Sequence, residues 1–203
     1  MKEIKSVLIT NKQEIQELEQ EFLNQEEKIS KKIYVSMSEE RARTIKLFIN
    51  AKIKFDLEKV RETFFNLIVK DLHPNLQMTE IQENGFYRGS GRINKVAFKI
   101  TKFNEEEITV MWYNADQKFI KRIKINQAIF NKKKTKISYT GFVTGMNSIE
   151  TYFEKRIKTV YLKREKIAFK INILRLKQQL GLIESKKAEK KIQLMLNFAK
   201  ELF

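Results

Sequence analysis

The sequence predicts an α+β fold in which an antiparallel, curved sheet of about six strands grips one long basic helix near the C-terminus, with added N- and C-terminal helices. Three observations predict it. Hydrophobicity alternates with period two from Ile45 to Phe55, five further strand-like stretches lie between Phe86 and Thr144, and an unbroken helical stripe runs from Ile149 towards Gly181.

Thr10 is placed to cap a first helix running to about Lys32, with Ile15, Leu18, Phe22 and Ile29 on one stripe and glutamates on the other faces. Ser36 to Glu40 reads as a linker or short turn. Ile45, Leu47, Ile49, Ala51, Ile53 and Phe55 then alternate with Lys46, Phe48, Asn50, Lys52 and Lys54, the pattern of a half-buried strand. Asp56 caps a second helix whose face is Leu57, Val60, Phe64, Leu67, Ile68 and Leu72, halted near His73-Pro74.

The five later strands are expected at Phe86 to Ile93, Val96 to Phe103, Ile108 to Ala115, Phe119 to Gln127 and Thr135 to Thr144. Their separators are turn-like: Asn94-Lys95, Asn104 to Glu107, Asn114 to Lys118 and Asn131 to Lys134. Connections this short specify an antiparallel meander, because a parallel crossover needs about a dozen residues or more. Phe98, Ile100, Val110, Trp112, Ile123, Ile125, Ile137 and Tyr139 form its apolar face.

Asn147 offers a cap for the long helix, with Glu150 in its first turn, and Ile149, Phe153, Ile157, Val160, Tyr161, Ile167, Ile171 and Leu174 as its stripe. Such a helix measures about 50 Å, against about 30 Å for strands of 8 to 10 residues. The overhang therefore needs other cover. The acidic first helix and a last helix at about Ser185 to Leu202, bearing Ile192, Met195, Leu196, Ala199 and Leu202, are expected to pack beside it as a small bundle. The chain divides accordingly into an acidic helix and linker (1–44), a helix-grip domain (45–165) and a basic helical extension packed with the N-terminal helix (166–203).

One strand, a helix, a run of antiparallel strands and a final long helix resembles the START-like, or Bet v 1-like, helix-grip (SRPBCC) superfamily. The residues that carry the resemblance are IKLFINAKIKFDLEKVRETFFNLIVKDL, GFYRGSGRI and GFVTGMNSIETYFEKRIKTVYLKREK. Within the superfamily they are similar to an uncharacterised family of Firmicute and Mollicute proteins. The resemblance implies a sheet curled around a helix to enclose an apolar cavity for a hydrophobic ligand, or a ligand-free scaffold that binds a partner protein. Fold alone assigns neither.

Composition sets the remaining bounds. The chain has no cysteine, which removes disulfides, thiolate nucleophiles and cysteine-ligated metals and fits a reducing, cytoplasmic setting. No apolar run approaches the roughly 18 residues of a membrane span, and the N-terminal stretch does not read as a signal peptide. The net charge of +16 points to an anionic partner such as nucleic acid, ribosome or a membrane surface, although the lysine-rich codon usage of an AT-rich genome explains the same excess. Residues 1–44 carry 8 basic and 9 acidic side chains, so the positive excess lies wholly beyond them.

Catalytic patterns are weak. His73 is the sole histidine and stands at a helix end; Gly89-Ser90-Gly91 lacks the helix start and third glycine of a phosphate loop and reads as a strand bend. Glu105, Glu106 and Glu107 adjoin in a turn, where consecutive carboxylates diverge and stay solvated. The expectation is a non-catalytic protein without cofactor or metal. Its candidate ligand-binding residues are Phe98, Ile100, Val110, Trp112, Tyr139, Phe153, Ile157 and Tyr161, which either line a cavity or close into a filled core. The alternative is an accessory protein that binds nucleic acid or ribosome through Lys155, Arg156, Lys158, Lys163, Arg164, Lys166 and Lys170, aided by clusters at Lys132 to Lys134 and Lys186 to Lys191. Oligomeric state is open on this reading.

Overall fold

The computed structural model describes residues 6–33, 44–90, 97–114, 117–129, 131–145 and 152–200. In chain order the elements are α1 (Lys12–Ile33), β1 (Ile45–Ile53), α2 (Leu57–Leu72), a 3-10 turn (Met78–Glu80), β2 (Phe86–Tyr87), β3 (Phe98–Phe103), β4 (Glu107–Asn114), β5 (Gln117–Ala128), β6 (Asn131–Thr144), α3 (Tyr152–Gln179) and α4 (Ser185–Lys200). The six strands form one sheet in the order β1-β6-β5-β4-β3-β2, antiparallel at every pairing. Helices α2 and α3 cover one face, so the architecture is the helix grip that the sequence resembles. The expected linker at 36–40, the turn at Asn94-Lys95, the cap at Asn147 and the end at Leu202 lie outside the described residues.

Local chemistry explains the boundaries. Asn11, one residue after the expected Thr10, caps α1: its Oδ1 accepts the backbone N–H groups of Gln13 and Glu14 at 2.9 and 3.1 Å. Asp56 caps α2 by accepting from the Lys59 N–H at 3.0 Å. At the far end of α3, Gly181 adopts φ +70° while its N–H bonds Gln178 and the Leu182 N–H bonds Lys177. That paired closure needs a left-handed residue after the last turn, and glycine adopts it without a Cβ clash.

The β5–β6 hairpin corrects an expected turn. Residues 131 to 134 belong to β6, with Asn131 paired to Ala128, so the chain reverses earlier and more tightly than the lysine run suggests. Strands β5 and β6 are consequently 12 and 14 residues long, spanning about 40–46 Å, comparable with the 28-residue α3 at about 42 Å. The helical overhang is shorter than expected because the sheet is longer.

Helix α4 folds back on α3, burying Ala188 completely. Helix α1 goes elsewhere. Phe22 packs edge-on against Phe86 and Tyr113, at centroid distances of 5.1 and 4.8 Å. Tyr113 neighbours Trp112, which faces α3, so α1 lies on the opposite face of the sheet and not in a bundle with the C-terminal helix. The anchors are ionic as well as apolar: Glu14 takes Arg88 in a two-point bond at 2.6 and 2.7 Å, and Glu26 accepts from Tyr113 and from Lys118 at 2.9 Å. The positive charges that attract the acidic helix sit on the sheet. Ahead of α1, the Ile9 N–H bonds Phe86 and the Arg88 N–H bonds Val7, so residues 7–9 close the β2 edge.

Glu107 also departs from expectation. Glu105 and Glu106 are exposed, but Glu107 opens β4 and its side chain is 5% exposed on the α1 face, among Arg122 (3.2 Å), Lys124 (3.0 Å) and Lys102 (3.6 Å), with the Thr109 hydroxyl donating at 2.9 Å. Strand alternation turns it away from the water its neighbours meet. Burial by itself raises this carboxyl, yet Lys124, Thr109 and Lys102 together outweigh it and hold it below its ordinary 4.5. A folded-state value below the unfolded one means that the stabilisation is present above about pH 4.5 and is lost as the pH falls through the lower value. Urea unfolding at neutral pH and at about pH 3 should therefore show a smaller acid loss in Glu107→Gln than in the parent; equal losses would remove Glu107 as a source of acid sensitivity.

Candidate functional site

The site begins with strand parity. On β4, Ile108, Val110 and Trp112 point towards α3; on β5 the same parity selects Phe119, Lys121, Ile123 and Ile125. Cross-strand pairing assembles rows on that face. Phe98 opposes Trp112, which opposes Phe119; Val110 opposes Lys121, which opposes Gly141; Ile108 opposes Ile123, which opposes Tyr139. A lysine thus stands in the middle of an otherwise apolar surface.

Between this surface and helices α2 and α3 lies a cavity of about 120 Å³. Phe98, Ile108, Val110, Trp112, Ile123 and Tyr139 form its sheet wall, and Ile68, Leu72, Ala168 and Phe169 its helical wall. The Trp112 and Phe119 rings stack at 5.1 Å and 6° at one end, with Tyr161 tilted against Phe119 at 6.2 Å.

Two polar groups interrupt the lining. In the first, Glu165 of α3 accepts the Lys121 ammonium at 3.1 Å on one oxygen and the Tyr139 hydroxyl on the other. Lys121 Nζ also lies 5.4 Å from the Trp112 ring centroid, a cation–π distance. Their side chains are 31% and 16% exposed, so the ion pair is largely withdrawn from water. Burial first, then the Glu165 charge, pushes the Tyr139 hydroxyl far above the usual phenol range, which keeps it a donor. Burial and Glu165 raise Tyr161 in the same way. Gly141 leaves room beside this contact: a Cβ there would stand 3.2 Å from the Tyr139 hydroxyl and press on it.

The second polar group closes the gap between α2 and α3. Asn172, 7% exposed, donates to Asp71 at 2.6 Å, and Arg175 donates to the other Asp71 oxygen at 3.2 Å. Asp71 and Asn172 line the cavity while Arg175 is partly exposed, so this clasp joins α2 and α3 at the edge of the cavity.

Of the expected ligand residues, Phe98, Val110, Trp112 and Tyr139 line the cavity. Ile100 is wholly buried in the packed core beside it, and Tyr161 stands behind Phe119. The side chains of Phe153 and Ile157 lie outside the described residues. Of the alternative anion set, Lys163, Lys166 and Lys170 are exposed on one face of α3, Arg164 is half-buried, and the side chains of Lys155, Arg156 and Lys158 lie outside the described residues. His73 Nδ1 accepts the Asn75 N–H at 3.2 Å, a local turn contact. Among the described residues no cluster of three or more His, Cys, Asp or Glu side chains converges, and no helix is long and apolar enough to cross a membrane.

The sequence matches no protein-family profile and no curated protein. Solved structures similar to it include a Staphylococcus aureus protein of unknown function, 13% identical over 70% of this chain and 99% of that one, with a TM-score of 0.46. Another is a conserved Enterococcus faecalis protein of unknown function, 15% identical over 86% of this chain and 98% of that one, TM-score 0.44. A third is an HSP90 activator from Plasmodium falciparum, 12% identical over 58% and 87%, TM-score 0.38. Bet v 1-like proteins also stand among these neighbours. Similarity of this degree assigns no chemistry.

Proposed function

We propose that the chain is a non-catalytic binding module that takes a small apolar molecule between its sheet and α3. The observation that carries this reading is the cavity: about 120 Å³ of space walled by Phe98, Val110, Ile123 and Phe169, where a close-packed core would leave no such void. An engineered apolar cavity of about 150 Å³ in another protein accepts benzene, so the volume suits a single-ring molecule. Larger ligands would require α2 and α3 to part, breaking the Asp71–Asn172–Arg175 clasp.

Trp112 is the chain's one tryptophan and lines the cavity, so its emission reports occupancy. Ethylbenzene is expected to shift that emission saturably, and native mass spectrometry of protein purified in high salt is expected to show a retained apolar adduct. Val110→Phe, which fills the space, should abolish both. A protein that retains nothing, ignores ethylbenzene and instead binds RNA with a steep salt dependence would replace this reading with the basic-helix one.

A further inference from the structure

The face of the sheet opposite the cavity carries a second surface, independent of the ligand reading above. We infer that β1, β6 and the later half of β5 present there a docking platform for a single-stranded nucleic acid, with Phe48 stacking on a base and the surrounding cations meeting its phosphates.

Strand parity builds the platform. Leu47, Gly141 and Lys121 share the cavity side, so the residues between them face the other way. On that outer face Phe48 opposes Thr140, which opposes Arg122, and Asn50 opposes Ser138, which opposes Lys124. Helix α1 lies over another part of the face, where it meets Phe86, Tyr113 and Lys118.

Charge selects an anion. The three strands contain no Asp or Glu. Lys52 stands directly opposite Lys136 on the neighbouring strand, a pairing that repels by itself and becomes favourable with a phosphate beside both ammonium groups. Close by, Lys102, Arg122 and Lys124 gather around the single carboxylate of Glu107 on β4. Glu107 is 5% exposed and the three cations 45–47%, so the positive groups are the ones that meet solvent, and three charges against one leave a surplus of two.

Phe48 selects the kind of anion. Its ring is 62% exposed, whereas the other apolar side chains of this face nearby, Phe142 and Ile120, are partly buried. One free ring among Asn50, Thr140 and lysines is too little apolar area to enter a lipid surface, which an amphipathic element does with a whole greasy stripe. It is enough for one base, since stacking uses a single ring face. A duplex keeps its bases stacked on one another, so it would engage the cations and leave Phe48 idle. Ring and cations together therefore match an unpaired strand.

Fluorescence anisotropy on the full chain tests this with a fluorescein-labelled oligothymidylate of about ten nucleotides, a length within the usual span of such platforms. Contacts to about four phosphates should make its affinity fall about 50-fold between about 50 and about 200 mM salt. Phe48→Ala should weaken binding about tenfold and leave the salt slope unchanged. Lys52→Gln/Lys136→Gln should weaken it and reduce the slope by about 1.4. Lys163→Gln/Lys166→Gln/Lys170→Gln, on the exposed face of α3, should stay within about twofold of the parent. The matching duplex should bind about tenfold more weakly than the single strand, and vesicles containing phosphatidylserine should not displace it. Equal affinity for the duplex, indifference to Phe48→Ala, or displacement by the vesicles overturns the single-strand assignment. Loss confined to the α3 variant moves the anion site to the helix and overturns it too, as does absence of binding at low salt. None of these outcomes bears on the cavity, which ethylbenzene reads separately.

Discussion

Phe64→Ala is expected to lower the unfolding free energy by about 3–5 kcal/mol, measured by urea denaturation. The Phe64 ring is 0% exposed and meets Phe169 edge-on at 6.4 Å and 77°, so it is a direct join between α2 and α3. Truncation removes buried area, opens a void beside the cavity and dissolves the aromatic pair at once. Domains of ordinary stability have about 5–15 kcal/mol in all, so this one change consumes a large part. Phe48 supplies the control. It is 62% exposed on the outer side of β1, and Phe48→Ala should move stability by no more than about 0.5 kcal/mol. Similar losses at the two positions would mean that α2 does not pack on α3 as described.

Glu165→Leu is expected to cost about 2 kcal/mol, a value reduced from that of a fully buried pair because Lys121 is 31% exposed. The cost arises from what stays behind: an ammonium facing an apolar wall and a Tyr139 hydroxyl without its acceptor. Adding Lys121→Met should recover the part due to the stranded ammonium, since a well-packed apolar pair serves about as well as an ion pair in such surroundings, while the Tyr139 hydroxyl stays without its acceptor. The double-mutant cycle checks it through chemical denaturation of all four proteins. A cycle that closes at zero coupling would show that Lys121 and Glu165 do not act on one another in the folded protein.

Much of this fold is legible in the sequence because burial writes a period onto it. The alternation from Ile45 to Ile53 returns as β1, and the stripe from Leu57 to Leu72 as α2, both bounded by the cap at Asp56. Phe98, Val110, Trp112 and Tyr139 were legible as a common face for the same reason. The polar heart of the cavity was harder to find, although its parity was visible: Lys121 stands two residues from Ile123 on one face of β5. A lysine in a strand ordinarily marks the wet side, and only the opposite placement of Glu165 on a neighbouring element changes that.

The long helix misleads in a similar way. Its stripe was expected to pass through Ile167, Ile171 and Leu174, whereas Glu165, Phe169 and Asn172 line the cavity and Leu176 joins the same core. Ile171 is buried but apart from that core, because α3 is apolar on more than one side and α4 folds back on it. Periodicity cannot say which of two apolar stripes meets the sheet. Nor could it place α1, whose partners Arg88, Tyr113 and Lys118 lie 74 to 92 positions from its glutamates.

Among the described residues, the sheet order leaves β1 with β6 on one side and no further strand on the other. Its nine residues offer a row of backbone groups to which another extended chain could zip, and Phe48 adds an oily invitation. Lys46 and Lys52, both exposed, flank that ring along the same strand, so a second copy docking edge to edge would bring like charges together. Like charges facing one another across such a pairing oppose it.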